Sequence, residues 1–221
     1  MREGGRIAAA IEVLDEILGR HRPASEALKD WGKAHRFAGA GDRHAIGTLV
    51  YDVLRRKNSL AHRMGEASSR AYVLAALHDV WKRSTDAIAR AVEEEHGPGA
   101  LTAQERSALA AAGTSAAPAH VAGDYPEWLA PSFARAFGGQ AAEEGRALAE
   151  RAPVDLRANI LKADRPRVLK ALEKFNAVAG PLSPWCVRIE PSGPDRRSPH
   201  VEAEPAHGKG WFEVQDAASH V

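Results

Sequence analysis

Ala152-Pro-Val-Asp-Leu-Arg-Ala-Asn-Ile-Leu-Lys162 is the point where the texture of this chain changes. From Asp155 to Lys162 apolar and polar residues partly alternate, the two-residue period of a strand with one buried face. No such period occurs upstream of about residue 154. Apolar residues there recur every three or four positions, as on one face of a helix. The chain therefore reads as mainly α: an all-helical bundle followed by a small α+β subdomain.

The helical half is marked out by stripes and stops. Ile7, Ala10, Ile11, Leu14 and Leu18 form one apolar face, which Gly19 is expected to close. Pro23 suits the opening of a second helix carrying Leu28 and Trp31. Asp42 is placed to cap a third, whose buried face is Ile46, Leu49, Val50, Val53 and Leu54, with Arg55, Arg56 and Lys57 in its last turn. Residues 71–81 supply another helix and Thr85 opens a shorter one. Thr102 and Glu105 have capping-box spacing, and Asp124 and Glu127 repeat it. The Ala-, Gly-, Ser- and Pro-rich stretch 110–123 reads as a loop, and the acidic helical region 139–152 is the nearest thing to a linker.

Beyond 162, Val168, Leu169, Leu172 and Phe175 predict a short helix. Trp185-Cys-Val-Arg-Ile-Glu190 predicts a strand, ended by Pro191-Ser-Gly-Pro194. Residues 191–210 predict a long loop with a short strand near Val201, and 211–214 a last extended piece. Asp216, with Ser219 three residues on, reads as a helix start.

Composition narrows the class. Of 221 residues, 44% are hydrophobic and 27% charged, which suits a folded globular protein. No run approaches the roughly 20 apolar residues that cross a bilayer, and the first helix carries Glu12, Asp15 and Glu16, unlike a signal peptide. One cysteine, Cys186, rules out an internal disulfide and fits a reducing compartment, so a cytoplasmic location is expected. Net charge is only +1, but its distribution is uneven. Between 88 and 150, four arginines face nine acids; between 151 and 170, six basic residues face Asp155 and Asp164. Arg55, Arg56 and Lys57 form a second basic cluster. Two basic regions around an acidic one suit a face presented to phosphates, although solvated helix faces give the same pattern.

No catalytic constellation is visible. The ten histidines include no pair at i, i+4 spacing, so no metal site is expected. Gly208-Lys-Gly210 lacks the rest of a phosphate loop. Gly39 and Gly41 follow a helical, charged segment rather than the buried strand that a nucleotide-binding turn requires. Cys186, between Trp185 and Val187, has no base or cation assigned to activate it and reads as a buried, inert thiol.

Four segments, in order, resemble a known family. Gly41-Asp-Arg-His-Ala-Ile-Gly-Thr-Leu-Val-Tyr-Asp-Val-Leu-Arg55 resembles its "D-R … L-V-Y-G-V-L-R" helix, with Asp52 in place of the usual glycine. Tyr125-Pro-Glu-Trp-Leu129 resembles "hPxWL". Residues 152–162 resemble "aPl-x-lRvN-x-LK", and Phe212-Glu-Val-Gln-Asp-Ala-Ala-Ser219 resembles "f-x-VQD-x-aS". The family is the Sun (Fmu) group of bacterial rRNA 5-methylcytosine methyltransferases. The resemblance implies a NusB-like helical RNA-binding domain over 1–140 and, over 141–221, the α+β subdomain that precedes the methylase fold. It implies that the complete enzyme uses S-adenosylmethionine to methylate C5 of a cytosine in ribosomal RNA. The family's cofactor glycines and catalytic cysteine motifs have no counterpart here. No catalytic residue is carried over, no cofactor is expected to bind residues 1–221 alone, and these residues alone are expected to be inactive. The expected partners are ribosomal RNA and the protein's own C-terminal methyltransferase domain, not a membrane.

The expected RNA-binding residues are Arg55, Arg56 and Lys57 from the first cluster and Arg157, Asn159 and Lys162 from the strand. On an ideal strand Arg157 and Asn159 share a face and Lys162 lies on the other. Arg157 suits a forked contact to phosphate or an ion pair with Asp155 or Asp164. Asn159 suits a base edge, a 2′-hydroxyl or nearby backbone groups. Gln215, Asp216 and Ser219 mark the domain junction, where capping competes with substrate contact. Three functional readings stay open at this point: the RNA-binding front of a methyltransferase, a free-standing NusB-like factor that joins RNA and protein without chemistry, or a helical scaffold domain with no RNA role.

Overall fold

The computed structural model describes residues 1–111, 117–191 and 199–220. The expected loop at 110–123 therefore lies partly outside the described residues, as does most of the turn 191–194. The chain divides into two compact units, Met1–Glu150 and Arg151–Val221.

The first unit is helical throughout its described residues. Its opening helix α1 (Glu3–Arg20) buries Ile7, Ala10, Val13, Leu14 and Ile17, the stripe that its periodicity demands. It runs past Gly19 and stops at His21, whose left-handed backbone (φ 53°) ends the helix instead. Then follow α2 (Ala24–Ala34) and α3 (Ala40–Arg55), and next α4 (Lys57–Met64) and α5 (Ser69–Asp79). Residues 71–77 of α5 are buried on all sides, because α1, α3 and α4 surround it. In the rest of the unit are α6 (Thr85–Val92), α7 (Ala103–Ala110), α8 (Ala119–Ala122), α9 (Ala130–Phe137) and α10 (Ala141–Ala149).

Several local expectations meet a physical correction. Asp42 is not the cap of α3; it sits three residues inside, where its carboxylate accepts the Gly39 N–H at 3.0 Å. The Thr102–Glu105 capping box forms in both directions. Asp124 forms none, because its side chain turns to α4 and accepts the Ser59 N–H at 2.8 Å and the Ser59 hydroxyl at 2.6 Å. The join expected near 140 is followed by α10, which packs on α8 and α9 and groups with the first unit. Gly145 permits that packing: a β-carbon there would stand 2.4 Å from the Gly123 carbonyl oxygen.

The second unit is a four-stranded antiparallel sheet with one helix across it. Strand β1 (Val154–Ala158) leads to α11 (Arg165–Ala171). After them come β2 (Val178–Ala179), β3 (Cys186–Ile189), the single-turn α12 (Pro205–Gly208) and β4 (Phe212–Val214). The order across the sheet is β2-β3-β1-β4. Leu156 pairs with Val187 and Val214, and Ala158 with Phe212, so alternate residues build one apolar face. Leu156, Val187, Ile189 and Phe212 pack there with Val168 and Leu172 into a core of their own. The strand expected over 155–162 stops at Ala158, and the strand expected near Val201 is a 3-10 turn, Val201–Ala203. The two-residue β2 carries no sequence signal at all.

Candidate nucleic-acid interface

Strand β1 is flanked on both sides, so its exit from the sheet is fixed by neighbours on each edge. The Ala158 N–H donates to the Trp185 carbonyl at 2.9 Å, and the Asn159 N–H to the Trp211 carbonyl at 2.8 Å. Two tryptophans, one just ahead of β3 and one just ahead of β4, therefore bracket the end of β1. The chain then reverses in a turn closed by Lys162 N–H to the Asn159 carbonyl at 2.8 Å.

Asn159 holds this corner together. Its amide Nδ2 donates to the Gly210 carbonyl at 3.0 Å, and its Oδ1 accepts the Leu161 N–H at 3.3 Å. Of the roles open to Asn159, its amide here takes the one toward nearby backbone, serving two loops. Lys162 lies in the turn rather than on the opposite strand face. Its ammonium rests against Gly210, where a β-carbon would come within 2.7 Å of Nζ. Gly210 has φ 70°, a backbone conformation that favours glycine there. Ile160 and Leu161 form the tip of the turn, and Leu161 is 91% exposed.

The cations around this corner lie over aromatic rings. The Arg167 guanidinium stands 4.2 Å from the Trp211 ring centroid and the Lys209 ammonium 5.2 Å. Arg157, exposed on the polar face of the sheet, lies 5.9 Å from the Trp185 ring. Among the described residues none of Arg157, Lys162, Arg167 and Lys209 stands in an ion pair. The pair considered for Arg157 with Asp155 or Asp164 does not form. Asp155 is bound instead by Arg188, through Nε at 2.7 Å and Nη2 at 2.8 Å. That forked bond holds the Asp155 carboxyl below the usual carboxylate range, against the upward pull of its burial.

The same face carries the C-terminal segment. The Gln215 N–H donates to the Asp155 carbonyl at 3.1 Å, and the Ala217 N–H to Asp155 Oδ2 at 3.3 Å. Asp216 Oδ1 accepts the Ala218 N–H at 2.9 Å, and Ser219 N–H donates to the Asp216 carbonyl at 3.0 Å. These bonds close a 3-10 turn, Ala217–His220, so Gln215, Asp216 and Ser219 are seen capping and bracing backbone. Cys186 is wholly buried, and burial, with the nearby Asp155 charge, pushes its thiol up. It is therefore a poor nucleophile at neutral pH.

The basic cluster at 55–57 has a different fate. Helix α3 ends at Arg55, Arg56 turns the corner with φ −131°, and Lys57 begins α4, so the three do not share one helical turn. Asp52 is 1% exposed and accepts Arg55 Nη2 at 2.5 Å and the Trp81 indole N–H at 2.9 Å. Arg56 lies 3.9 Å from Asp52 and 3.1 Å from Glu150, with 12% of its side chain exposed. Arg56 is thus largely enclosed between two carboxylates, and Arg55 is largely committed to Asp52. Lys57 alone of the three is exposed.

Arg167, Lys209, Trp185 and Trp211 were not among the sequence candidates. The signal available for them was the interleaving of cations and aromatics at 208–211, which reads as an incomplete phosphate loop when Gly208-Lys-Gly210 is taken alone.

Residues 125–194 match the family model of the RsmF/B-like methyltransferase ferredoxin-like domain. The fold is similar to that of the crystal structure of PH0851, with a TM-score of 0.55 at 16% identity over 99% of this chain. The match spans 54% of the PH0851 chain, so this chain is about half the length of the protein it resembles. No curated protein matches it significantly in sequence.

Proposed function

We propose that this chain, whose residues 125–194 match the RsmF/B-like methyltransferase ferredoxin-like domain, is the N-terminal region of a Sun-family methyltransferase and that residues 1–221 bind ribosomal RNA for a cytosine-C5 methyltransferase. The observation that carries this reading is the uncompensated charge at the end of β1. Lys162, Arg167 and Lys209 gather at Trp211 and the neighbouring Gly210, and Arg157 lies by Trp185, none of them in an ion pair among the described residues. The helical unit has an exposed cation of its own in Lys57. Cations left unpaired on a fixed frame are what a phosphate backbone neutralises, releasing its own counterions as it does so.

Methyl transfer, in this reading, is performed by residues outside 1–221, where S-adenosylmethionine supplies the methyl group. Among the described residues, neither the glycine turn at 39–41 nor Cys186 fits that cofactor. Gly39 and Gly41 open α3 behind a helix rather than a strand, and the Cys186 thiol is buried and raised. No catalytic step is assigned to them. RNA handling occupies this part of the protein, and the reaction occupies another, in the cytoplasm where ribosomal RNA is made.

The test is a fluorescence-anisotropy titration of the chain with a labelled ribosomal RNA fragment across a salt series. Four phosphate contacts predict a slope of about −3 in log affinity against log salt. An affinity independent of salt, or none at low salt, overturns the reading.

A further inference from the structure

We propose that Arg167, Trp211, Lys209 and Lys162, with Leu161 at the rim, form a subsite for an unpaired nucleotide, whose base stacks at the Arg167–Trp211 pair and whose phosphate meets Lys162 and Lys209. The inference rests on the RNA reading above and narrows it to single-stranded RNA.

Three segments build the subsite: the turn 159–162, α11 and the 207–211 loop. Arg167 is exposed, yet its guanidinium is not free to wander, because it lies 4.2 Å over the Trp211 ring. Trp211 is half-buried against the core of the second unit, so it is itself a fixed platform. A guanidinium placed over an indole offers its other face, which a base can cover, and N–H groups at its edge, which a phosphate can accept. The two ammonium groups stand close to that platform. Lys209 Nζ is 5.2 Å from the same ring, and Lys162 Nζ is packed on Gly210, the residue before Trp211.

The turn tip decides between paired and unpaired RNA. Leu161 and Ile160 are 91% and 58% exposed, an apolar pair set among cations. Phosphates alone give such side chains nothing to cover. The face of an unstacked base does, and in a duplex that face is hidden between its neighbours. An anionic lipid surface would also combine charge with apolar contact. It would not use a guanidinium stacked on a ring, and the RNA reading is favoured on that ground.

The experiment uses the full chain, a labelled single-stranded oligouridine and an RNA duplex of equal charge, with anionic phosphatidylserine vesicles as a third probe. Arg167→Gln and Trp211→Leu are compared with wild type, and thermal melts check that each variant is folded. Arg167→Gln, at an exposed site, keeps the test valid if Trp211→Leu unfolds the second unit. Single-strand affinity is expected to fall about tenfold in each folded variant while duplex affinity stays within about twofold. Equal losses for both RNAs, or no loss for either, overturn the subsite and leave the RNA reading standing. Failure of wild type to bind either RNA overturns both. Vesicle binding that Arg167→Gln abolishes, with single-strand affinity unchanged, overturns the subsite in favour of lipid.

Discussion

The helical unit and the α+β unit each carry a basic run, and the two runs are treated in opposite ways. At 55–57 a carboxylate, Asp52, is buried at the foot of the helix and draws in Arg55, while Arg56 is closed off by Glu150 as well. At the end of β1, Asp155 is taken by Arg188, and Arg157, Arg167 and Lys209 settle over indole rings. A carboxylate cancels a cation's charge; an aromatic face orients the cation and leaves its charge available. Clusters that look alike as strings of letters thus become a structural brace in one region and, in the other, cations whose charge stays available.

Removing the brace is the severest way to break this contrast. Asp52→Ala leaves the partly buried Arg55 without its carboxylate, Arg56 with Glu150 alone, and the Trp81 N–H without its acceptor. A loss of about 3 kcal/mol from the helical unit is expected, read as a lower urea midpoint. An unchanged midpoint would show that Arg55 and Arg56 are not held as described.

Asp155→Asn acts on the other region and sharpens the contrast through pH. The folded Asp155 carboxyl lies below its ordinary value. Its contribution is therefore fully present above the usual carboxylate range and is lost as pH falls through the depressed folded value. The substitution is expected to cost about 2 kcal/mol at neutral pH by weakening the forked Arg188 bond. Acid unfolding of wild type and variant should converge at low pH; a constant gap across the acid range would contradict the assignment.

The smallest effect is expected from Lys57→Ala. It removes one exposed cation, so RNA affinity should fall by about twofold and the salt slope by less than one unit. A tenfold loss in the same anisotropy assay would return the 55–57 cluster to the centre of the interface.

Much of the architecture was legible because the period of the apolar residues is a property of the chain itself. The α1 stripe and the alternation from Asp155 mark the helical bundle and the sheet, and the buried faces follow from them. Positions settled by distant partners were not legible. Asp124 has capping-box spacing, but Ser59, 65 residues away, claims its carboxylate. Asn159 was a fair candidate for RNA, yet Gly210, 51 residues on, takes its amide donor. Trp211 and Arg167 meet only when β4 closes against β1, and no local pattern announces that meeting. The Asp52 substitution in the family-like helix was visible as a departure, while its work as a charge sink became visible only with Trp81 and the two arginines around it.

One amide has a wider reach than its size suggests. By fastening the turn that bears Lys162 to the loop that bears Lys209 and Trp211, Asn159 makes the two loops a single mechanical part. A ligand that orders one of them meets the other already in place, so the entropy of ordering is charged once rather than twice. Substitutions at Lys162 and Lys209 should consequently fail to add, and their coupling should vanish when Asn159 is replaced by alanine.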